Sequence, residues 1–209
     1  MKSKGFTLLE LLVVIVIIGV LTSLVVIGVV YAIRTSKISN TEAMIGTMKG
    51  ALENYHTRWR DYPPSSLSRY RGIKGLNEFN NGNESMVASL SSKRKGGIIY
   101  QPPAQDHYQN IDGDELSKNP TKSFLVDKGP YPLMEYVDFF GYPFIYLHHN
   151  DYRNPASSIT RYKFDPSGSG KTIKPVKGVG TSWAMPDKFQ LISPGPDGEP
   201  GTPDDIQGF

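Results

Sequence analysis

Apolar positions fall into two regimes in the N-terminal part of the chain. From Leu11 to Ile33 the apolar run is almost unbroken over 23 residues, enough for a helix to cross a bilayer core of about 30 Å. From Ile38 onward the run becomes periodic. Ile38, Ile45, Leu52 and Trp59 recur at every seventh position, with Met48 and Tyr55 between them. That spacing predicts one apolar stripe on an amphipathic helix, packed on the chain's own sheet. No Pro interrupts the stretch, so a single helix from Phe6 to Trp59 is expected, about 80 Å long at about 1.5 Å per residue. It ends at Asp61-Tyr62-Pro63-Pro64-Ser65, where Pro63 turns Tyr62 away from helical geometry. Farther on, Tyr142 to Leu147, Arg161 to Phe164 and Phe189 to Ser193 read as strands. Ile98-Ile99-Tyr100 reads as another strand and Ser85 to Leu90 as a short helix, with the rest of 66–135 rich in loops. Short strands joined by hairpins favour an antiparallel sheet laid against the helix, an α+β fold.

One charge disturbs the apolar segment. Glu10 stands at its edge, and a carboxylate near a membrane centre costs about 2.5–3.5 kcal/mol on insertion scales. A cleaved secretory signal does not fit, because the run is too long and no A-x-A site follows it. A plain anchor is compatible with Lys2 and Lys4 on one side, but Arg34 and Lys37 on the other weaken the bias, and Glu10 stays unexplained. A cut between Gly5 and Phe6 supplies what is missing. It creates an α-ammonium on Phe6, which in a stack of staggered helices can meet Glu10 of a neighbouring copy and set the axial register.

Lys4-Gly5-Phe6-Thr7-Leu8-Leu9-Glu10 resembles the class III signal of type IV pilins and type II secretion pseudopilins. The resemblance implies a pilin fold, with a long N-terminal helix whose first half is transmembrane. It also implies cleavage after Gly5 by a prepilin peptidase, methylation of Phe6 and an assembly role for Glu10. Many members of that family carry a Pro in the second half of the apolar helix; here Leu24-Val25-Val26-Ile27-Gly28 has none. Tyr62-Pro63-Pro64-Ser65 and Asp138-Phe139-Phe140-Gly141-Tyr142-Pro143-Phe144-Ile145-Tyr146 are similar to stretches of the major (G-type) pseudopilins. The organisation expected from this is a leader at 1–5, a membrane and filament-core helix at 6–33, an amphipathic half at 34–60 and a globular domain at 61–209.

The C-terminal segment Ser193-Pro194-Gly195-Pro196-Asp197-Gly198-Glu199-Pro200-Gly201-Thr202-Pro203-Asp204-Asp205-Ile206 is acidic. Asp197, Glu199, Asp204 and Asp205 place four carboxylates within nine residues. Composition alone leaves two readings, a solvated tail or a site for Ca²⁺, which takes about 6–8 oxygen ligands. The spacing is not that of an EF-hand. The segment resembles the calcium loop of major pseudopilins. By that match the ligands are Asp197, Asp204 and Asp205, with the backbone carbonyls of Pro194 and Ile206.

Composition narrows the alternatives. There are no cysteines, which excludes disulfides and thiolate metal sites. Basic residues number 23 against 20 acidic, and Lys2 and Lys4 belong to the leader, so charge gives no case for nucleic acid. Ser167-Gly168-Ser169-Gly170-Lys171-Thr172 imitates the end of a phosphate loop, but Asp165 stands where that motif needs Gly, and a Gly/Ser hairpin is expected. His107 and the pair His148-His149 are expected at the surface, since neighbours on a strand face opposite ways. Asp112-Gly113-Asp114-Glu115 reads as a solvated turn, with a second cation site as the alternative. No G-x-S-x-G or H-E-x-x-H element occurs. The function expected is structural: a pseudopilus subunit of type II secretion, held in the inner membrane with its C-terminal domain in the periplasm. Its implied partners are further copies in a helical homopolymer, minor pseudopilins, the prepilin peptidase, a platform protein and an assembly ATPase. A type IV pilin for adhesion, motility or DNA uptake is the alternative, and a membrane-tethered binding protein or enzyme is a third.

Overall fold

The structure, a computed structural model, describes residues 7–69, 76–91, 99–100, 104–116 and 131–209. Three α-helices are described: α1 (Leu8–Trp59), α2 (Asn81–Leu90) and α3 (Ser157–Thr160). The strands are β1 (Tyr108–Gln109), β2 (Glu115–Leu116), β3 (Tyr131–Pro132), β4 (Glu135–Tyr136), β5 (Ile145–His148), β6 (Arg161–Tyr162), β7 (Lys171–Thr172), β8 (Phe189–Ser193) and β9 (Ile206–Gln207). The chain forms two compact units, Met1–Lys37 and Ile38–Phe209.

The first unit is the N-terminal part of α1. Its apolar side chains are exposed around the whole circumference, from Leu8 to Ile33. A helix apolar on all sides needs an apolar medium, and this one is long and apolar enough to cross a membrane. Ser23, inside the run, donates its hydroxyl to the Val20 carbonyl at 2.7 Å, so the span carries that polar group without an outside partner. Gly19 and Gly28 do not interrupt the helix.

In the second unit α1 becomes one-sided. Thr41, Met44, Ile45, Met48, Ala51, Leu52 and Tyr55 are buried, following the predicted stripe in its middle. At the stripe's ends the seven-residue repeat fails: Ile38 is half-buried and Trp59 exposed, stacked on Tyr55. A strict heptad drifts about 20° per repeat around a straight helix, which carries its outer members off the buried face. Arg60, with φ of 62°, ends the helix in the left-handed region. The chain that follows is fastened to β5: Tyr146 donates its hydroxyl to the Pro63 carbonyl at 2.6 Å, and the His148 amide donates to Ser65 Oγ at 2.7 Å.

The central sheet is three-stranded and antiparallel, in the order β5-β8-β9, with Tyr146 opposite Leu191 and Ser193 opposite Ile206. Every residue of β5 and β8 is buried. Alternation sorts the side chains. Tyr146, Phe189 and Leu191, with Phe144 just ahead of β5, join the core built on α1 and α2. Ile145, Leu147 and Ile192 join a second core with Tyr152, Ile159, Tyr162, Phe164 and Ile173. The sheet is therefore covered on both faces. Two-stranded ladders β1-β4, β2-β3 and β6-β7 complete the unit.

The α+β class and the pilin-like order, long helix first and small antiparallel sheets after it, are as the sequence predicts. Phe189–Ser193 is a strand over the expected residues. The strand expected at Tyr142 begins instead at Ile145, because Pro143 has no N–H to give a ladder and makes only an isolated bridge to Val137. No strand forms at Ile99-Tyr100, and Ile98 lies outside the described residues. The short helix expected from Ser85 starts earlier, at Asn81, and all ten of its residues are buried.

Candidate functional site

The start of α1 is a reciprocal cap. Thr7 is the residue before the helix, and Glu10 is third within it. Glu10 Oε2 accepts from the Thr7 amide and from the Thr7 hydroxyl, each at 2.8 Å, while the Glu10 amide donates to Thr7 Oγ1 at 3.3 Å. This is a capping box, a role for Glu10 beside the expected one in register, and its Thr-x-x-Glu signature stands in the sequence. Among the described residues Oε1 of Glu10 accepts no hydrogen bond. Gly5 and Phe6, the expected cleavage and methylation residues, lie outside the described residues.

The C-terminal acidic segment is a folded loop between paired strands. Ser193 and Ile206 face each other across β8 and β9, so Pro194 and Ile206 stand at its two roots. Gly195 has φ of 68°, and a Cβ there would lie 2.2 Å from the Asp204 carbonyl; only glycine permits this approach. Asp197 Oδ2 and Asp204 Oδ1 converge on the Thr202 hydroxyl, at 3.1 and 2.5 Å. The Thr202 contact holds Asp204 below the usual carboxylate range. Asp205 turns elsewhere. Its Oδ2 accepts from the Gly201 amide at 2.8 Å, its Oδ1 is buried without a hydrogen bond, and burial raises its pKa. Glu199 pairs with Lys171.

Asp138 ties this loop to the turn before β5. Its Oδ1 accepts from the amides of Phe140 and Tyr142 at 2.8 and 2.9 Å, and its Oδ2 accepts the Ser193 hydroxyl at 2.5 Å. Ser193 Oγ in turn accepts from the Gly195 amide at 3.1 Å. Burial raises the Asp138 pKa against the pull of these donors. The Asp-x-x-Gly stretch thus shapes the root of the acidic loop, aided by Gly141 with φ of 92°.

Two surface expectations are overturned. His148 is buried, 1% exposed, and His107 is buried too. The chain leaves β5 at His148 and enters a 3₁₀ turn at His149, so the two rings lie 4.3 Å apart rather than on opposite faces. His148 Nδ1 accepts from the Asn150 amide at 3.2 Å, which assigns the proton to Nε2, 3.0 Å from Asp61 Oδ1. Burial lowers the His148 pKa, which favours this neutral form. Asp61, His148 and His149 bring three ligand-type atoms within 4.8 Å, but both His148 nitrogens are engaged, one by a turn amide and one by Asp61. His107 Nδ1 lies 3.0 Å from the Val137 carbonyl, and its ring packs on Phe139.

The turn 112–115 is not simply solvated. Asp112 and Asp114 are half-buried and lie beside Glu84 and Glu135, which are buried. Burial first, and neighbouring carboxylates second, push Glu84 and Glu135 well above the usual range and Asp114 up to about 7. The Ser167–Thr172 stretch is the expected hairpin: Asp165 Oδ1 accepts from the Ser167 amide and hydroxyl, and Lys171-Thr172 pairs with β6.

Residues 1–30 match the family model for the prokaryotic N-terminal methylation motif. The chain thus carries a type IV prepilin-like leader running into its apolar helix. No curated protein and no solved structure matches it.

Proposed function

We propose that this chain is a subunit of a helical filament, cut between Gly5 and Phe6 and methylated on the Phe6 amine, and that the filament is the pseudopilus of a type II secretion system. One juxtaposition carries the reading: the methylation motif, Glu10 and a span exposed on every side occupy the same helix start. Such a helix is stable in a bilayer or in a bundle of like helices, and passage from one to the other is assembly. Within hydrocarbon Glu10 requires a cation. Processing creates one at Phe6 of a neighbouring copy, and Glu10 Oε1, which accepts no hydrogen bond among the described residues, receives it while Oε2 keeps the Thr7 cap.

The machinery follows from that cycle. A prepilin peptidase removes 1–5, an assembly ATPase and a platform protein lift the subunit from the inner membrane, and minor pseudopilins join the polymer. The unit from Ile38 to Phe209 faces the periplasm. The loop of Asp197, Asp204 and Asp205, with the carbonyls of Pro194 and Ile206, takes calcium and replaces the disulfide that a chain without cysteine cannot form. The absence of cysteine and this loop favour the secretion filament over an adhesive or motility pilus.

Mass spectrometry of the protein from its native membrane tests the core of the reading. The expected mass begins at Phe6 and carries one added methyl group. A chain that retains Met1 through Gly5 overturns it.

A further inference from the structure

Burial without a partner is what distinguishes Glu84. It lies in the first turn of α2, is 1% exposed, and neither carboxylate oxygen has a hydrogen bond. A buried polar group in that state is costly and calls for a partner such as an ion. Its surroundings are acidic. One oxygen each from Glu84, Asp112 and Glu135 lie within 4.8 Å of one another, the separation of two opposed ligands on an ion with bonds of about 2.4 Å. Asp114 adds two more buried oxygens from the same turn. Among the described residues no Lys or Arg pairs with any of the four.

The outer shell is already arranged. Glu135 Oε1 accepts from Asn80 Nδ2 and its Oε2 from the Ile111 amide, each at 2.9 Å. Asp112 Oδ2 accepts from Asn77 Nδ2 at 2.9 Å. Such donors fix the direction of ligating carboxylates. They satisfy Glu135 and Asp112 in part and leave Glu84 bare.

The geometry points to a divalent cation site, distinct from the C-terminal loop, in which Glu84, Asp112 and Glu135 bind calcium and Asp114 supports them. An all-oxygen set suits a hard cation, and the dry setting favours calcium over magnesium, which gives up its waters reluctantly. The ion joins α2, β4 and the turn between β1 and β2, three elements whose carboxylates otherwise repel. This assignment does not depend on the filament reading or on calcium at the C-terminal loop.

The full-length protein in detergent tests it, in an Asp197→Asn/Asp204→Asn background that disables the C-terminal loop. Terbium is the probe, with tyrosine-sensitised emission as the signal and calcium as competitor. Emission that calcium displaces is expected, and adding Glu84→Gln should weaken terbium binding at least tenfold. Asp112→Asn, at a half-exposed position, should weaken it as well without disturbing the core. Infrared spectra of the same background protein give a readout without any change in the cluster. Calcium should remove a protonated carboxyl band and release protons. Unchanged terbium affinity in both cluster variants, or a carboxyl band indifferent to calcium, overturns the proposal in favour of carboxyls closed by protons alone.

Discussion

Glu10 closes the cap with Thr7 and, in the proposed filament, also sets the register. The cap needs its carboxylate only as an acceptor, whereas the proposed register needs its charge. The two separate on substitution. Glu10→Gln keeps an acceptor and removes the charge, so leader cleavage should persist while filaments vanish under electron microscopy. Thr7→Ala keeps the charge and removes the cap, a loss of about 1 kcal/mol, and filaments should still form. A Glu10→Gln variant that polymerises normally refutes the register argument. His148 gives a second prediction at this scale. Its pKa in the fold is lowered by burial, so the folded state binds the proton less readily than the unfolded one. Its contribution is complete above the unfolded value of about 6.5 and is lost as the pH falls through and below it. Asp61, whose pKa is lowered although burial opposes this, adds a loss at still lower pH. Denaturant titrations at pH 7.5 and 5.5 should therefore show a smaller stability drop for His148→Gln than for the parent chain.

Among the elements, α2 demands the closest fit. A Cβ on Gly82 would come 2.2 Å from the Tyr146 carbonyl and 2.4 Å from the Tyr162 hydroxyl, so the helix lies directly on β5. Gly82→Ala should lower stability by about 2 kcal/mol or more through overpacking, despite alanine's better helix propensity. That is a fall of roughly 4–8 °C in a thermal melt for a unit of this size. This helix also marks where sequence reading fails. Asn80-Asn81-Gly82-Asn83 has loop chemistry, yet Asn83 donates to the carbonyls of Tyr136 and Phe144 and accepts from the Tyr136 amide. Its burial depends on partners more than fifty positions away, which no local pattern reports. The apolar span and β8 are legible because one medium surrounds the first and packed cores cover both faces of the second. His148 departs from its expected place because period-2 alternation holds only inside a strand, and the strand ends there. Of the site residues, the Thr-x-x-Glu cap is readable in sequence, whereas the closeness of Glu84 to Glu135 is not.

For the whole molecule, calcium at the C-terminal loop should act as a ligand of the folded state. At a hundredfold excess over Kd such a ligand adds about 2.7 kcal/mol, or roughly 5–11 °C at this size. Scanning calorimetry with calcium and with chelator should show that shift, and Asp197→Asn with Asp204→Asn should reduce it. An identical shift in the double variant removes the loop from the account. The path of the chain carries one more consequence. The Gly208 amide donates to the Leu191 carbonyl at 2.8 Å, and a Cβ at Gly208 would sit 2.7 Å from Ile45 Cγ2. A residue near the start of the second unit is thus sealed by one made long after it. Contacts so distant along the polypeptide close slowly, and the ribosome must have produced position 208 before Ile45 gains its cover. In a nascent chain Ile45 therefore stays without this cover until the polypeptide has been extended as far as Gly208.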